Sequence, residues 1–444
     1  MCRASGGFYF SADEATDRES LNRLGALLGQ HSGAPAPFAF DTWHSAVDAL
    51  FALGRDRQMP VVIDEFPYLA RANPQLPSII QNAFAPLRAE RDASRTRLLL
   101  CGSAMSFMGR LLSGNAPLRG RAGLEVVVPT LDHQLAAEFW GIEDAATAMK
   151  VNAIVGGTPA YRREFARDDT PQGPGDFDSW VLRTVLSPAS PLFREARYLL
   201  ADEPELHDTA LYHSVLAAIA AGNSRRGGIG SYLGRKSGDL AHPLTVLEDC
   251  GLITRDPDVF KDNRTTFRIA EPLVTFYHAV MRPIWSDLEH TRDATRLWQR
   301  SQQRFISNVM GPHFEHVCRQ WLRHMAPADL LSDHPNRVGG GTVNDVANRT
   351  SYEVDVVAFG LDDDNRRPLI GIGEAKWADT MGIGHLERLR RIRALLVAQG
   401  RLGAEDAKLM CFSGSGFTDE LTHAADQDDD IVLVRVGDLY TRER

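Results

Sequence analysis

The 444-residue chain is poor in cysteine, with only Cys2, Cys101, Cys250, Cys318 and Cys411. They are scattered, odd in number and form no C-x-x-C pair. That pattern argues against a disulfide framework and a cysteine zinc site, and it fits a reducing cytoplasm, the expected location. No apolar run approaches the ~18 residues of a membrane-spanning helix, so no membrane partner is expected. The N-terminus lacks the charged-then-apolar order of a secretion signal. The fourteen histidines show no H-E-x-x-H or comparable ligand spacing. A basic excess is missing as well, since 49 Lys and Arg against 58 Asp and Glu leave a net charge of −9. This disfavours a strongly basic, non-specific nucleic-acid binder but permits a local basic patch.

What is present reads as an ordinary globular protein, 43% hydrophobic and 24% charged. Its length suggests several domains at roughly 100–200 residues each. Near the start, GGFYFSA (6–12), VVIDE (61–65), TRLLLCGSA (96–104) and LEVVVPTL (124–131) read as strands. Helical segments over 14–29, 43–53 and 77–90 separate them. Apolar strands alternating with helices indicate an α/β domain with a parallel sheet. Residues 145–200 read as mostly helical, interrupted by VGGTPAYR (155–162). Short helices then lead into LEDCGLITRD (247–256) and TTFRIAEP (265–272), the pattern of a winged helix-turn-helix. After a helical stretch over 273–325 come SYEVDVVAFG (351–360), RPLIGIGEAKW (367–377), AKLMCFSG (407–414) and DIVLVRV (430–436), with a helix over 384–399. These predict a second α/β domain.

Two stretches carry chemistry. In VVIDE, a buried strand ends in Asp64 and Glu65. An acid there suits a nucleotide-bound Mg²⁺, and an adjacent glutamate suits the attacking water. Strands ending in Asp or Glu are also common in any α/β fold. In the second stretch, Asp355 lies in one strand, and Glu374 and Lys376 lie two apart on the next. Side chains alternate along a strand, so Glu374 and Lys376 share a face. Anions to hold a cation, with a cation near the nucleophile, suit metal-assisted phosphodiester hydrolysis. Nineteen residues from Asp355 to Glu374 fit one hairpin. A surface ion pair is the plainer reading of E-x-K.

Taken in order, VVIDEFPYL, LLLCGSAMSFM, APLRGRAG, VGGTPAYR, FRIAEPLVTFY, FEHVCRQWL, YEVDVVAF and IGEAKW resemble the bacterial and archaeal AAA-like (STAND-group) DExx-box ATPases with a winged helix and a restriction-endonuclease-like, PD-(D/E)xK, C-terminal domain. The resemblance implies a P-loop-type ATPase domain over 1–140, a helical subdomain over 141–204, a winged helix over 205–285 and a nuclease-like domain over 286–444. It implies ATP and Mg²⁺ as cofactors, with Asp64 on the metal, Glu65 on the water and Ser103 as the polar sensor. Arg119 and Arg121 would steady charge on the transferred phosphoryl group. In the nuclease-like domain, Glu315, Asp355 and Glu374 would hold Mg²⁺ and Lys376 would act on the attacking water. Glu353, on the same strand face as Asp355, is a substitute ligand.

One departure stands out. The family's first strand and its G-x-x-x-x-G-K-[ST] loop would precede residue 6, and that pattern occurs nowhere in the chain. GSYLGRKSG (230–238) is a decoy, with Arg235 where glycine is needed. The expectation is that the natural protein starts further upstream. The winged-helix region carries Arg225, Arg226, Arg235, Lys236, Arg255, Lys261 and Arg264, with the turn at 261–264 as the wing. Nucleic acid, DNA more than RNA, is therefore an admissible partner, as is a second copy of the chain. Against DNA, the expected recognition helix carries Asp239, Glu248 and Asp249. The expected function is an ATP-binding regulator coupled to a nuclease-like domain. The rival is a non-catalytic binding or scaffolding protein with both sites degenerate.

Overall fold

The computed structural model describes residues 5–103, 105–201, 209–261, 263–290, 293–362 and 364–441. The fold is mixed α/β, in two units: Met1–Val128 with Asp249–Gly251, and Pro129–Glu248 with Leu252–Arg444. Among the described residues, no helix is long and apolar enough to cross a membrane.

Unit 1 is built on a parallel sheet in the order β1 (Phe8–Ser11), β2 (Met59–Asp64), β3 (Thr96–Leu100). Helices α1 (Asp17–Ser32), α2 (Trp43–Ala52), α3 (Phe66–Ala72) and α4 (Leu76–Ala83) accompany it. Thr16 caps α1 by accepting the Glu19 amide, and Gly33 ends the helix in the left-handed region, as its lack of a side chain allows. The core gathers Phe8, Phe10, Val61 and Ile63 from one face of the sheet with Leu24, Leu28, Trp43 and Phe66 from the helices. Side chains alternate on a strand, so the opposite face carries Tyr9, Val62 and Leu99; Tyr9 and Leu99 are each 46% exposed.

Two expectations for this unit fail. The helix expected over 77–90 stops at Ala83 and resumes only as a single turn from Ala89 to Asp92, with Leu87 at a φ of 63° between them. LEVVVPTL forms no strand. Leu124, Val126, Val127 and Val128 are all at least 64% exposed. A β-branched run becomes a strand only by pairing with a neighbour, and this segment pairs with none of the described strands.

Unit 2 holds most of the stretch expected as a winged helix. Helices α5 (Thr209–Ala220), α6 (Arg226–Leu233) and α7 (Ala241–Asp249) precede an antiparallel ribbon of β4 (Ile253–Pro257) and β5 (Thr265–Ile269). The same unit contains a five-stranded mixed sheet in the order β10 (Ile431–Arg435), β9 (Lys408–Ser413), β8 (Leu369–Lys376), β7 (Thr350–Phe359), β6 (Arg337–Asp345). Strands β6, β7 and β8 run antiparallel, whereas β8, β9 and β10 are parallel. Helices α8 (Gly311–His324) and α9 (Ile383–Ala398) pack on it.

Strand β6 was not legible in the sequence, because Gly339, Gly340 and Gly341 obscure its pattern. Those glycines have a packing role. The turn between β4 and β5 lies on them, with the Val259 amide donating to the Gly340 carbonyl at 3.0 Å. A Cβ on Gly339 would come within 2.7 Å of Val259, and one on Gly341 within 2.5 Å of the Phe260 ring. The Lys261 ammonium donates to Asn344 at 2.7 Å. The expected wing is thus docked on the sheet; Asp262, within it, lies outside the described residues.

Gly341→Ala should therefore lower stability by about 1–3 kcal/mol through overpacking. Gly384→Ala, in α9 with nothing within 4 Å of the added Cβ, should be neutral or stabilising by up to about 1 kcal/mol. Chemical denaturation of both variants checks this, and equal stabilities would contradict the packing role.

Candidate functional site

The deepest chemistry lies on β8. This strand is central in its sheet and buried from Leu369 to Ala375, yet it carries a carboxylate, Glu374, at 4% exposure. A buried charge must be compensated or it is expelled. Here Lys376 Nζ lies 3.2 Å from Glu374 Oε1 and 3.5 Å from Asp355 Oδ2. Asp355 Oδ2 also accepts the Ala375 amide at 3.0 Å, which ties β7 to β8 at the site. The structure thus brings Asp355, Glu374 and Lys376 together. Burial pulls the Lys376 ammonium down, but Asp355 and Glu374 outweigh it and hold its pKa above the usual lysine value.

A fourth participant was missed in the sequence. Arg388, on α9, places one guanidinium nitrogen 2.8 Å from Glu374 Oε2. Its other terminal nitrogen donates to the Glu353 carbonyl at 2.7 Å. The contact with Oε2 is an ion pair outside hydrogen-bond geometry, so this buried oxygen accepts no hydrogen bond among the described residues. The only sequence signal for Arg388 was one arginine among several in a helix that follows E-x-K.

Glu315, on α8, stands beside this group. Its Oε2 is 3.7 Å from Arg319, which donates to the Asp355 carbonyl at 2.8 Å. Burial, then the nearby Asp355 carboxylate, raises Glu315 to about 7, while Arg319 and Lys376 act the other way. The expected three-carboxylate set is not assembled: among the described residues, no three His, Cys, Asp or Glu side chains are grouped to hold an ion. Glu353 contributes its backbone carbonyl to Arg388, and its side chain is exposed. The donor chemistry nonetheless fits a hard cation at Asp355 and Glu374, two carboxylates of which one keeps an unmet buried oxygen.

Helix α8 is held by the helix Ala145–Val155, whose Asn152 Oδ1 lies 2.9 Å from His313 Nε2. An amide oxygen only accepts, so Nε2 is the donor in this contact. His313 packs on Asn152, and among the described residues neither it nor His316 belongs to a group of ligand side chains placed to hold an ion. Enclosure, with like charge from Arg268 and His133, lowers His313 to about 3.

In unit 1, Asp64 ends β2 and Glu65 follows in the left-handed region at a φ of 51°, a strained conformation for a residue with a side chain. Glu65 Oε2 accepts the Ser103 hydroxyl at 3.1 Å. The Tyr9 hydroxyl donates to Asp64 Oδ2 at 2.5 Å, and the Glu65 amide to Asp64 Oδ1 at 3.1 Å. That bond to Asp64, before burial, raises the Tyr9 pKa. Asp64, Glu65 and Ser103 are therefore brought together, with Tyr9 on Asp64 as a partner the sequence did not indicate. Arg119 donates to the Gly114 carbonyl at 2.6 Å. Among the described residues neither Arg119 nor Arg121 pairs with Asp64 or Glu65. The strand-end carboxylates suit the metal-and-water half of a nucleotide site, while a G-x-x-x-x-G-K-[ST] loop for the phosphates is absent from the sequence.

Comparison with known proteins adds a family and a relative. The family model DUF234, described as archaea bacterial proteins of unknown function, matches residues 277–388. That stretch contains Glu315, Asp355, Glu374, Lys376 and Arg388. An uncharacterized protein of Methanocaldococcus jannaschii, MJECL04, is 24% identical over 323 residues, 72% of this chain and 67% of its own.

The depressed His313 pKa has a direction in stability. Below pH 6.5 the unfolded imidazole takes up a proton that the folded one refuses until about pH 3. Stability should fall across that window by at most about 1.4 kcal/mol per pH unit from this group. His313→Gln should show a shallower loss in acid denaturation profiles, and an unchanged slope would contradict the assignment.

Proposed function

We propose that this chain is an ATP-binding, ATPase-type regulator whose unit 2 hydrolyses phosphodiester bonds with a divalent metal. The reading rests on the resemblance to AAA-like DExx-box ATPases with a winged helix and a PD-(D/E)xK domain. The domains it assigns are 1–140, 141–204, 205–285 and 286–444. The observation that carries it is the convergence of Asp355 and Glu374 on Lys376 Nζ, at 3.5 and 3.2 Å, on a buried central strand.

In this proposal Asp355 and Glu374 hold Mg²⁺, which when bound supplies Lewis acidity at the phosphodiester. Lys376, kept cationic by its two carboxylates, orients water toward phosphorus and balances charge on the phosphate oxygens. The Ala375 amide fixes the Asp355 carboxylate so that it need not reorganise. Nucleic acid is the proposed substrate, DNA ahead of RNA. Arg226, Arg235 and Lys236 of the winged-helix region are exposed and suit phosphate contact, whereas Lys261 is engaged with Asn344. In unit 1, Asp64 and Glu65 are assigned to metal and water and Ser103 to sensing at the nucleotide, and nucleotide state regulates the nuclease.

A second reading has its own support. Glu374 is flanked by two cations, Lys376 and Arg388, and a carboxylate so compensated also suits a metal-free binding module. Cleavage assays on DNA and RNA with Mg²⁺ or Mn²⁺ separate the two. The proposal expects metal-dependent cleavage that falls by about a hundredfold or more in Glu374→Ala and Lys376→Ala. Cleavage unaffected by both substitutions would overturn the site, and no cleavage with any nucleic acid or nucleotide would favour the binding module.

A further inference from the structure

The arginine on Glu374 is not the pairing that an arginine normally makes. A guanidinium facing a carboxylate usually lays two N–H groups on its two oxygens. Arg388 instead commits one terminal nitrogen to the Glu353 carbonyl at 2.7 Å and brings the other to 2.8 Å from Glu374 Oε2, off the hydrogen-bond direction. It neutralises the carboxylate without satisfying it. Lys376 is on the other oxygen, Oε1, at 3.2 Å. The one buried, unsatisfied lone-pair position of Glu374 therefore faces Arg388.

Arg388 has room that Glu374 lacks. Arg388 is 32% accessible, whereas Glu374 is only 6% accessible in its side chain and is fixed within a central strand. Helix α9 is itself held through Leu386, Leu389 and Ile392, which are fully buried, so Arg388 can change rotamer without disturbing the helix. A divalent cation on Oε2 would be repelled by a guanidinium nitrogen held 2.8 Å from the same oxygen.

We propose that Arg388 is the resting counter-ion of Glu374 and gives up Oε2 to a divalent cation, so that it sets the threshold for metal occupancy. This rests on the metal-site reading above. Without the guanidinium, the site keeps the same carboxylates but loses a unit positive charge beside the ion. Metal then binds more tightly although nothing has been added to hold it.

The test is Mn²⁺ binding to the full chain, followed by electron paramagnetic resonance of free Mn²⁺ and by calorimetry, with melting temperature as the folding control. Arg388→Ala should bind Mn²⁺ about tenfold or more tightly than wild type, Arg388→Lys should fall between them, and Glu374→Gln should lose the site. Should Arg388→Ala fail to fold, Arg388→Met retains the packing stem and carries the same expectation. Equal or weaker binding in a folded Arg388 variant overturns the proposal. Absence of Mn²⁺ binding in wild type and every variant overturns it together with the metal-site reading. Binding that tightens as expected in a chain that cleaves no phosphodiester supports the counter-ion role while rejecting the nuclease.

Discussion

A carboxylate in the middle of a buried strand is the constraint around which unit 2 is arranged. Glu374 is 4% exposed, and a charge so placed is tolerated only where neighbouring charges compensate it. Each member of the cluster comes from a different element: the cation Lys376 from β8 itself, the cation Arg388 from α9, and a second carboxylate, Asp355, from β7 through its shared contact with Lys376. Strand register supplies the first, the packing of α9 the second, and the β7–β8 hairpin the third. Arg319 extends the arrangement to α8 by holding the Asp355 carbonyl. Removing one partner leaves the others as uncompensated buried charge, so the cluster binds strand order, helix placement and electrostatics together.

The elements expected as a winged helix are joined to the same sheet through a device of a different kind. Three consecutive glycines in β6 open a strip on which the β4–β5 turn lies, with Lys261 and Arg225 engaged on Asn344 and Thr342. Part of the basic character that suggested phosphate contact is thus used inside the molecule. Glu353 pairs with Thr342 across β6 and β7, and its carbonyl also receives Arg388. One rung of the sheet therefore separates the winged-helix contact from the candidate metal site, a short physical path between them.

Much of this was legible in the sequence where side-chain periodicity is strong. The apolar runs of β2, β3, β7, β8, β9 and β10 announced themselves, and Glu374-x-Lys376 on one face follows from strand alternation alone. Legibility failed where the decisive feature was tertiary. Glycine hid β6, because the residue that permits close approach also erases the strand pattern. Val126–Val128 promised a strand, but a strand exists only with a partner. Arg388 and Tyr9 were invisible because nothing in a local window says which arginine or tyrosine will reach a carboxylate far along the chain. Glu315 was placed on the right helix, yet helix membership does not bring a side chain into a ligand set.

The central claim is that Asp355 and Glu374 form a cation site now countered by Arg388. Crystals grown with Mn²⁺ and data collected at the manganese edge address it directly. The account predicts one anomalous peak in contact with Asp355 and Glu374 Oε2, with Arg388 withdrawn from that oxygen. No peak at saturating Mn²⁺, with Arg388 still against Oε2, would contradict it.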